Sequence, residues 1–131
     1  MLGHIRNREQ LMQTVDFGGL KYGTIRPTDI DAVIEFKDMA YVLVEIKRKS
    51  SGLPYGQRTC IERMANDLSA NKKDVLAIVA EHSVKKCDAI IPLAECGVRE
   101  IYMSREKIWR PPKRFFLVRE ICDLFLNRYR F

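Results

Sequence analysis

Two alternating apolar runs, split by a polar break at Lys37-Asp38, constrain this chain more than any other stretch. Residues 28–49 read TDIDAVIEFKDMAYVLVEIKRK, and Val, Ile, Leu, Tyr and Phe fill both halves. The pattern predicts a β-hairpin with strands over Ile30–Phe36 and Tyr41–Lys47. Ile30, Ala32, Ile34 and Phe36 take the even positions of the first run, Val42, Val44 and Ile46 those of the second. Asp29, Asp31, Val33 and Glu35, then Glu45 and Lys47, take the odd ones. Strand side chains alternate between faces, so one face is expected to be core and the other charged.

The pattern also sets the register, because both apolar sets must reach the same side. A three-residue turn at Lys37-Asp38-Met39 pairs Phe36 with Ala40, which sets Asp31 opposite Glu45 and Asp29 opposite Lys47. Facing Cβ atoms lie about 4.5–5.5 Å apart in such a ladder. Two carboxylates that close repel unless a cation sits between them or one takes up a proton. A hard divalent ion suits oxygen ligands, and Lys47 brings a positive charge to its edge. The plain alternative is a solvated sheet face. It suits Glu35 and Lys37, but Glu45 sits in the apolar run Tyr41–Ile46, which reads as a buried central strand.

Beyond the hairpin, Ser50–Pro54 is a loop, and Ile61, Met64, Ala65 and Leu68 recur at helical spacing over residues 55–69. Asp74–Ala80, DVLAIVA, reads as a buried parallel strand. Strand, helix and strand make a βαβ unit with a right-handed crossover. The expected fold is therefore a single α/β domain, residues 1–131. Its mixed β-sheet joins an antiparallel hairpin to a βαβ crossover and is flanked by helices. Further elements are expected as a helix over residues 4–15 that carries Glu9, a strand over Leu20–Ile25, and strands over Ala89–Leu93 and Val98–Met103. A basic loop over Arg105–Arg114 and a final helix over Phe115–Tyr129, with Leu117, Ile121, Leu124 and Phe125 inward, complete the chain.

Asp31, followed fourteen residues on by Glu45-Ile46-Lys47, resembles the D…(D/E)-x-K signature of the PD-(D/E)XK nuclease superfamily. Pro27-Thr28-Asp29 offers a rival start to the motif, with Asp29 as the ligand. The resemblance spans roughly residues 5–82 in element order, and its small stand-alone form is similar to resolvase-like or phage-encoded members. It implies a restriction-endonuclease-like fold and hydrolysis of DNA phosphodiester bonds with Mg2+ or Mn2+. Asp31, Glu45 and the Ile46 carbonyl would hold the ion, with Lys47 orienting water or neutralising developing charge. A helical glutamate joins many such sites, which makes Glu9 a candidate beside its reading as a surface residue. In Tyr55-Gly56-Gln57-Arg58, Gln57 would support the catalytic set and Arg58 would meet phosphate. Gln57 reads equally well as a polar residue at a helix start.

The charge balance bears on the partner. Net charge is +6, so polyanions are favoured, with DNA first and an anionic membrane surface second. Arg26, Arg48 and Lys49, with Tyr55 and Arg58, suit a groove that tracks a nucleic-acid backbone. Arg110, Lys113 and Arg114 around Trp109 form a second candidate patch, or a solvated loop with one core tryptophan. No apolar run of about 18 residues exists to span a membrane. The start, MLGHIRNREQ, lacks the apolar segment of a signal peptide, so a cytoplasmic location is expected. Cys60, Cys87, Cys96 and Cys122 are irregularly spaced and read as reduced, mostly buried thiols. Serine-histidine-aspartate triads, P-loops and GxGxxG fingerprints are missing, which disfavours those chemistries. So small a surface leaves specificity to DNA structure or to a homodimer. Two other functions stay open: an inactive nucleic-acid-binding module on the same fold, or a structural or assembly protein whose carboxylates only face solvent.

Overall fold

The hairpin forms in the register that the alternation dictates. Strand β1 (Ala32–Phe36) runs antiparallel to β2 (Ala40–Arg48), with Phe36 opposite Ala40 and Ala32 opposite Val44. Lys37 and Asp38 both take positive φ, 49° and 61°, and the Met39 N–H closes the turn on the Phe36 carbonyl at 2.8 Å. That backbone twist matches the twist of the flanking strands. The computed structural model describes residues 16–85 and 89–129. The expected helix over residues 4–15, with His4 and Glu9, lies outside them, as does Cys87.

Helix α1 (Tyr55–Ala70) returns the chain to β3 (Asp74–His82), which pairs parallel with β2 along its whole length. The antiparallel strands β4 (Gly97–Met103) and β5 (Trp109–Arg110) complete a five-stranded sheet in the order β1-β2-β3-β4-β5. Helix α2 (Val118–Leu126) covers the other face. The described residues thus form one α/β domain with a mixed sheet between two helices.

Two cores follow from the period of two. Even-numbered Ala40, Val42, Val44, Leu76, Ile78 and Ala80 pack with Val118, Ile121 and Phe125 of α2. Odd-numbered Leu43, Val75 and Ala77 pack beneath Ile61 and Ala65 of α1. A fully buried side chain of this size stabilises the fold by about 1.5–3 kcal/mol. This corrects the expectation of one apolar and one charged face. Strands β2 and β3 have strand neighbours on both sides and helices on both faces, so even their odd positions are apolar at Tyr41 and Leu43 and from Val75 to Val79, and charged only at Glu45, Lys47 and Glu81.

Several further expectations fail for local reasons. Leu20–Ile25 forms only an isolated bridge, Tyr22 to Ile25, around Gly23 at φ 68°, and its side chains are exposed. Strand β1 starts at Ala32 rather than Ile30, because the Asp31 side chain takes the Ile46 N–H at 2.7 Å. Ala89–Leu93 is no strand; Pro92, which has no N–H to give a ladder, leads into a short 3-10 turn at Leu93–Glu95. The last helix is shorter than expected at both ends. Leu124 points outward at 59% exposure, as does Met64 of α1 at 37%. Ile34 stays 37% exposed on the outer strand.

Cys60, Cys96 and Cys122 are free thiols, and burial pushes Cys122 up to about 11. Among the described residues, no helix is long and apolar enough to cross a membrane.

Candidate functional site

Glu45 interrupts the apolar odd face of β2 at the point where the first turn of α1 crosses it. It is 2% exposed. Its Oε1 receives the Lys47 ammonium at 3.3 Å and the Gln57 amide Nε2 at 3.1 Å, while its Oε2 is buried without a hydrogen-bond partner. The Gln57 Nε2 also donates to Asp29 Oδ1 at 3.3 Å, and the Gln57 Oε1 is a second buried oxygen with no donor. Asp31 lies just before β1, and its Oδ2 holds the Ile46 N–H. Asp31, Glu45, Lys47 and Gln57 therefore come together, and Asp29 joins them through Gln57. Its hydrogen bond is to Gln57 and not to Lys47, because the β1–β2 ladder ends at Ala32 opposite Val44.

Burial pushes the Glu45 carboxyl above its ordinary value of 4.5, and the charge of Asp31 pushes it the same way. The hydrogen bond and charge of Lys47 oppose that rise without cancelling it, and Asp29 adds to it. Desolvated carboxylates crowded in this way gain from a proton or a cation.

The basic residues divide into open and engaged. Arg26, Arg48 and Lys49 are exposed, and Tyr55 is 83% exposed at the first position of α1. Arg58 is engaged. Its Nη2 donates to Glu100 Oε2 at 2.7 Å, and its guanidinium lies 4.7 Å from the Trp109 ring centre. Trp109 in turn donates from Nε1 to Glu62 Oε1 at 2.6 Å and stacks at 5.2 Å on Tyr102. It is a half-buried packing residue. In the second candidate patch Arg110 pairs with Glu106, and Arg114 lies 3.9 Å over Phe116. His82 accepts the Val84 N–H on Nδ1 at 3.1 Å, a structural contact at the end of β3.

Sequence reading missed Arg99 and Glu100. A bulge in β4 places Glu100 opposite Val79 and Val98 opposite Ala80, with Arg99 as the extra residue. Arg99 donates to Glu81 Oε2 at 3.0 Å and to the carbonyls of Arg48, at 3.2 Å, and Ser51. It thereby grips the turn between Lys47 and α1. Alternation in REIYM gives no sign of the extra residue.

The donors gathered here are hard carboxylate oxygens, which fit Mg2+ or Mn2+ better than a soft ion. Among the described residues no three Asp, Glu, His or Cys side chains form a metal cage. Magnesium seldom requires one: it binds through one or two carboxylates, waters and substrate phosphates. Asp31 and Glu45, with the unpartnered Oε2, fit that mode. The chain matches no family model, no curated protein and no solved structure.

Proposed function

We propose that this chain is a metal-dependent nuclease of the PD-(D/E)XK type, on a restriction-endonuclease-like fold, and that it hydrolyses DNA phosphodiester bonds. One observation carries the reading: a nearly inaccessible glutamate keeps one bare oxygen beside two other carboxylates, with a lysine two residues along the same strand. A core position so costly to leave half-satisfied makes sense where a cation completes it. Mg2+ or Mn2+, when bound, polarises a phosphoryl oxygen and acidifies water.

The chain's own groups do the rest. Asp31 and Glu45 would hold the ion, with the Ile46 carbonyl or Asp29 as further oxygen donors. Lys47 neutralises charge that builds on the phosphate or orients the attacking water by donating a hydrogen bond to its oxygen. Gln57 fixes the Glu45 rotamer through its amide and leaves Oε1 to accept from a water. Arg26, Arg48 and Lys49 meet flanking phosphates. Selection of DNA by shape, or by a homodimer, belongs to the same proposal.

A second reading, a nucleic-acid-binding module without catalysis, draws support from the contacts already made at Glu45. Lys47 and Gln57 both occupy Oε1, which neutralises the cluster in part without any ion.

Cleavage of linear, nicked, flapped and branched DNA, with and without Mn2+, separates the two. Asp31→Asn keeps size and an acceptor for the Ile46 N–H but removes charge. It should lower cleavage by about a hundredfold or more and weaken Mn2+ binding. Lys47→Ala should lose most activity yet still bind the ion. A folded Asp31→Asn protein that cuts at the wild-type rate sinks the nuclease reading; wild-type protein that binds DNA but never cuts it installs the binding module.

A further inference from the structure

Arg58 is the one cation of the proposed DNA face whose guanidinium already holds an anion of the protein itself. That anion is not its only contact. Trp109 lies under the guanidinium at 4.7 Å, and the indole is fixed by Glu62 at 2.6 Å and by Tyr102 at 5.2 Å. Neither contact that holds the indole involves Glu100. Among the described residues Glu100 is the only acceptor of a hydrogen bond from the Arg58 side chain, through Nη2 at 2.7 Å. The pair is partly open, at 30% exposure on each side. Partly hydrated pairs of this kind are weak and exchangeable, whereas a guanidinium fork offers further N–H groups suited to phosphate.

The location is what gives the pair meaning. Glu45 lies opposite Val79, and Val79 lies opposite Glu100, so all three occupy one row across the sheet on the α1 side. Two strand spacings, about 10 Å, separate the backbones of Glu45 and Glu100 in that row. Gln57, next to Arg58 on α1, reaches back to Glu45 at 3.1 Å. A polyanion crossing the first turn of α1 would therefore meet the Asp31–Glu45 cluster and Arg58 together. The bulge in β4 lets Glu100 and Val98 each face a β3 residue, since the extra residue Arg99 lies between them.

We infer that Glu100 stands in for a nucleic-acid phosphate on Arg58, so that DNA docking at this site exchanges one anion for another. The inference rests on the DNA partner proposed above and not on catalysis. Glu100 keeps Arg58 neutralised and oriented in the free protein, and it lowers affinity for DNA by competing for the same N–H groups. A phosphodiester that arrives with other contacts to Arg48 and Lys49 wins the exchange; an isolated anion does not.

The test is a double-mutant cycle on the full chain. Wild type, Glu100→Gln, Arg58→Gln and the double variant bind a short labelled DNA duplex in EDTA across a salt series, read by fluorescence anisotropy. Circular dichroism checks that each is folded. Glu100→Gln should tighten binding by about threefold and steepen the slope of log K against log salt by about one. Both gains should vanish in the Arg58→Gln background. An equal gain in both backgrounds overturns the inference, because it would be the general effect of removing a negative charge. So would a folded Glu100→Gln protein that binds no better than wild type. Failure of all four proteins to bind overturns the inference along with the DNA partner. An intact cycle without cleavage in Mn2+ removes only the nuclease and leaves the exchange standing.

Discussion

Glu45 is ionisable, almost wholly buried and flanked by two carboxylates, and its net pKa rise means that burial and repulsion outweigh the help from Lys47. A group whose folded pKa is raised contributes stability that is complete below its unfolded value. That stability is lost as pH climbs through the folded value. For Glu45 the loss begins above 4.5, its ordinary value, so this carboxyl costs the ion-free fold stability at neutral pH relative to acid. Glu45→Gln should therefore raise the melting temperature by a few degrees at neutral pH and lose that advantage in acid. Calorimetry with and without Mn2+ adds a second reading: the ion should stabilise wild type, through binding to the folded state alone, and leave Glu45→Gln unmoved. A variant less stable than wild type at neutral pH would mean that the Lys47 pair dominates the site. Parity in the hairpin is what put Asp31, Glu45 and Lys47 on one side in the sequence, whereas Gln57 was a candidate only through the nuclease resemblance. The sequence did not reveal that Asp29 enters through Gln57, since that contact depends on where α1 starts above the sheet.

Strand β3 depends on its first residue as well as on its apolar run. Asp74 receives Arg105 at 2.8 Å, Tyr129 at 2.7 Å and Arg128 on one oxygen, which ties the ends of β4 and α2 to the start of the strand. Burial by itself would raise its pKa. The hydrogen bonds from Arg105 and Tyr129, with the charges of Arg128 and Arg105, outweigh burial and hold it below 3.8. A depressed carboxylate contributes stability that is present above its unfolded value and lost as pH falls through its folded one. Asp74→Asn should thus cost about 1–3 kcal/mol at neutral pH and flatten the acid limb of stability, as urea melts over a pH series would register. At this scale the hairpin and the βαβ unit were legible, because alternation and a long apolar strand are strong signals. The misread strands at residues 20–25 and 89–93 had apolar composition but no neighbour to pair with, and pairing partners are not written in a local window. The two-residue β5 is too short to leave a period.

At the scale of the whole molecule, a net charge of +6 is spread over a surface where much of the basic charge is already spent on internal partners. Arg58, Arg99, Arg105 and Arg128 all hold carboxylates, whereas Arg26, Arg48 and Lys49 are exposed. Net charge therefore overstates the DNA-binding charge. Replacing Arg26, Arg48 or Lys49 by Ala should weaken binding to a similar degree for every sequence and lower the salt slope by about one for each lost contact. Anisotropy titrations would measure this, and an unchanged slope for all three would take them out of the interface. The bulge in β4 has a consequence for which changes of chain length the domain tolerates. Removing one residue from a strand normally turns every later side chain to the wrong face. Here Val98 and Glu100 already stand in phase with adjacent residues of β3, Ala80 and Val79, as if Arg99 were not there. The sheet alone would accept the shorter strand without rearranging either core. Arg99 is therefore supernumerary to the sheet, and the turn whose carbonyls it holds is what would be left without an anchor.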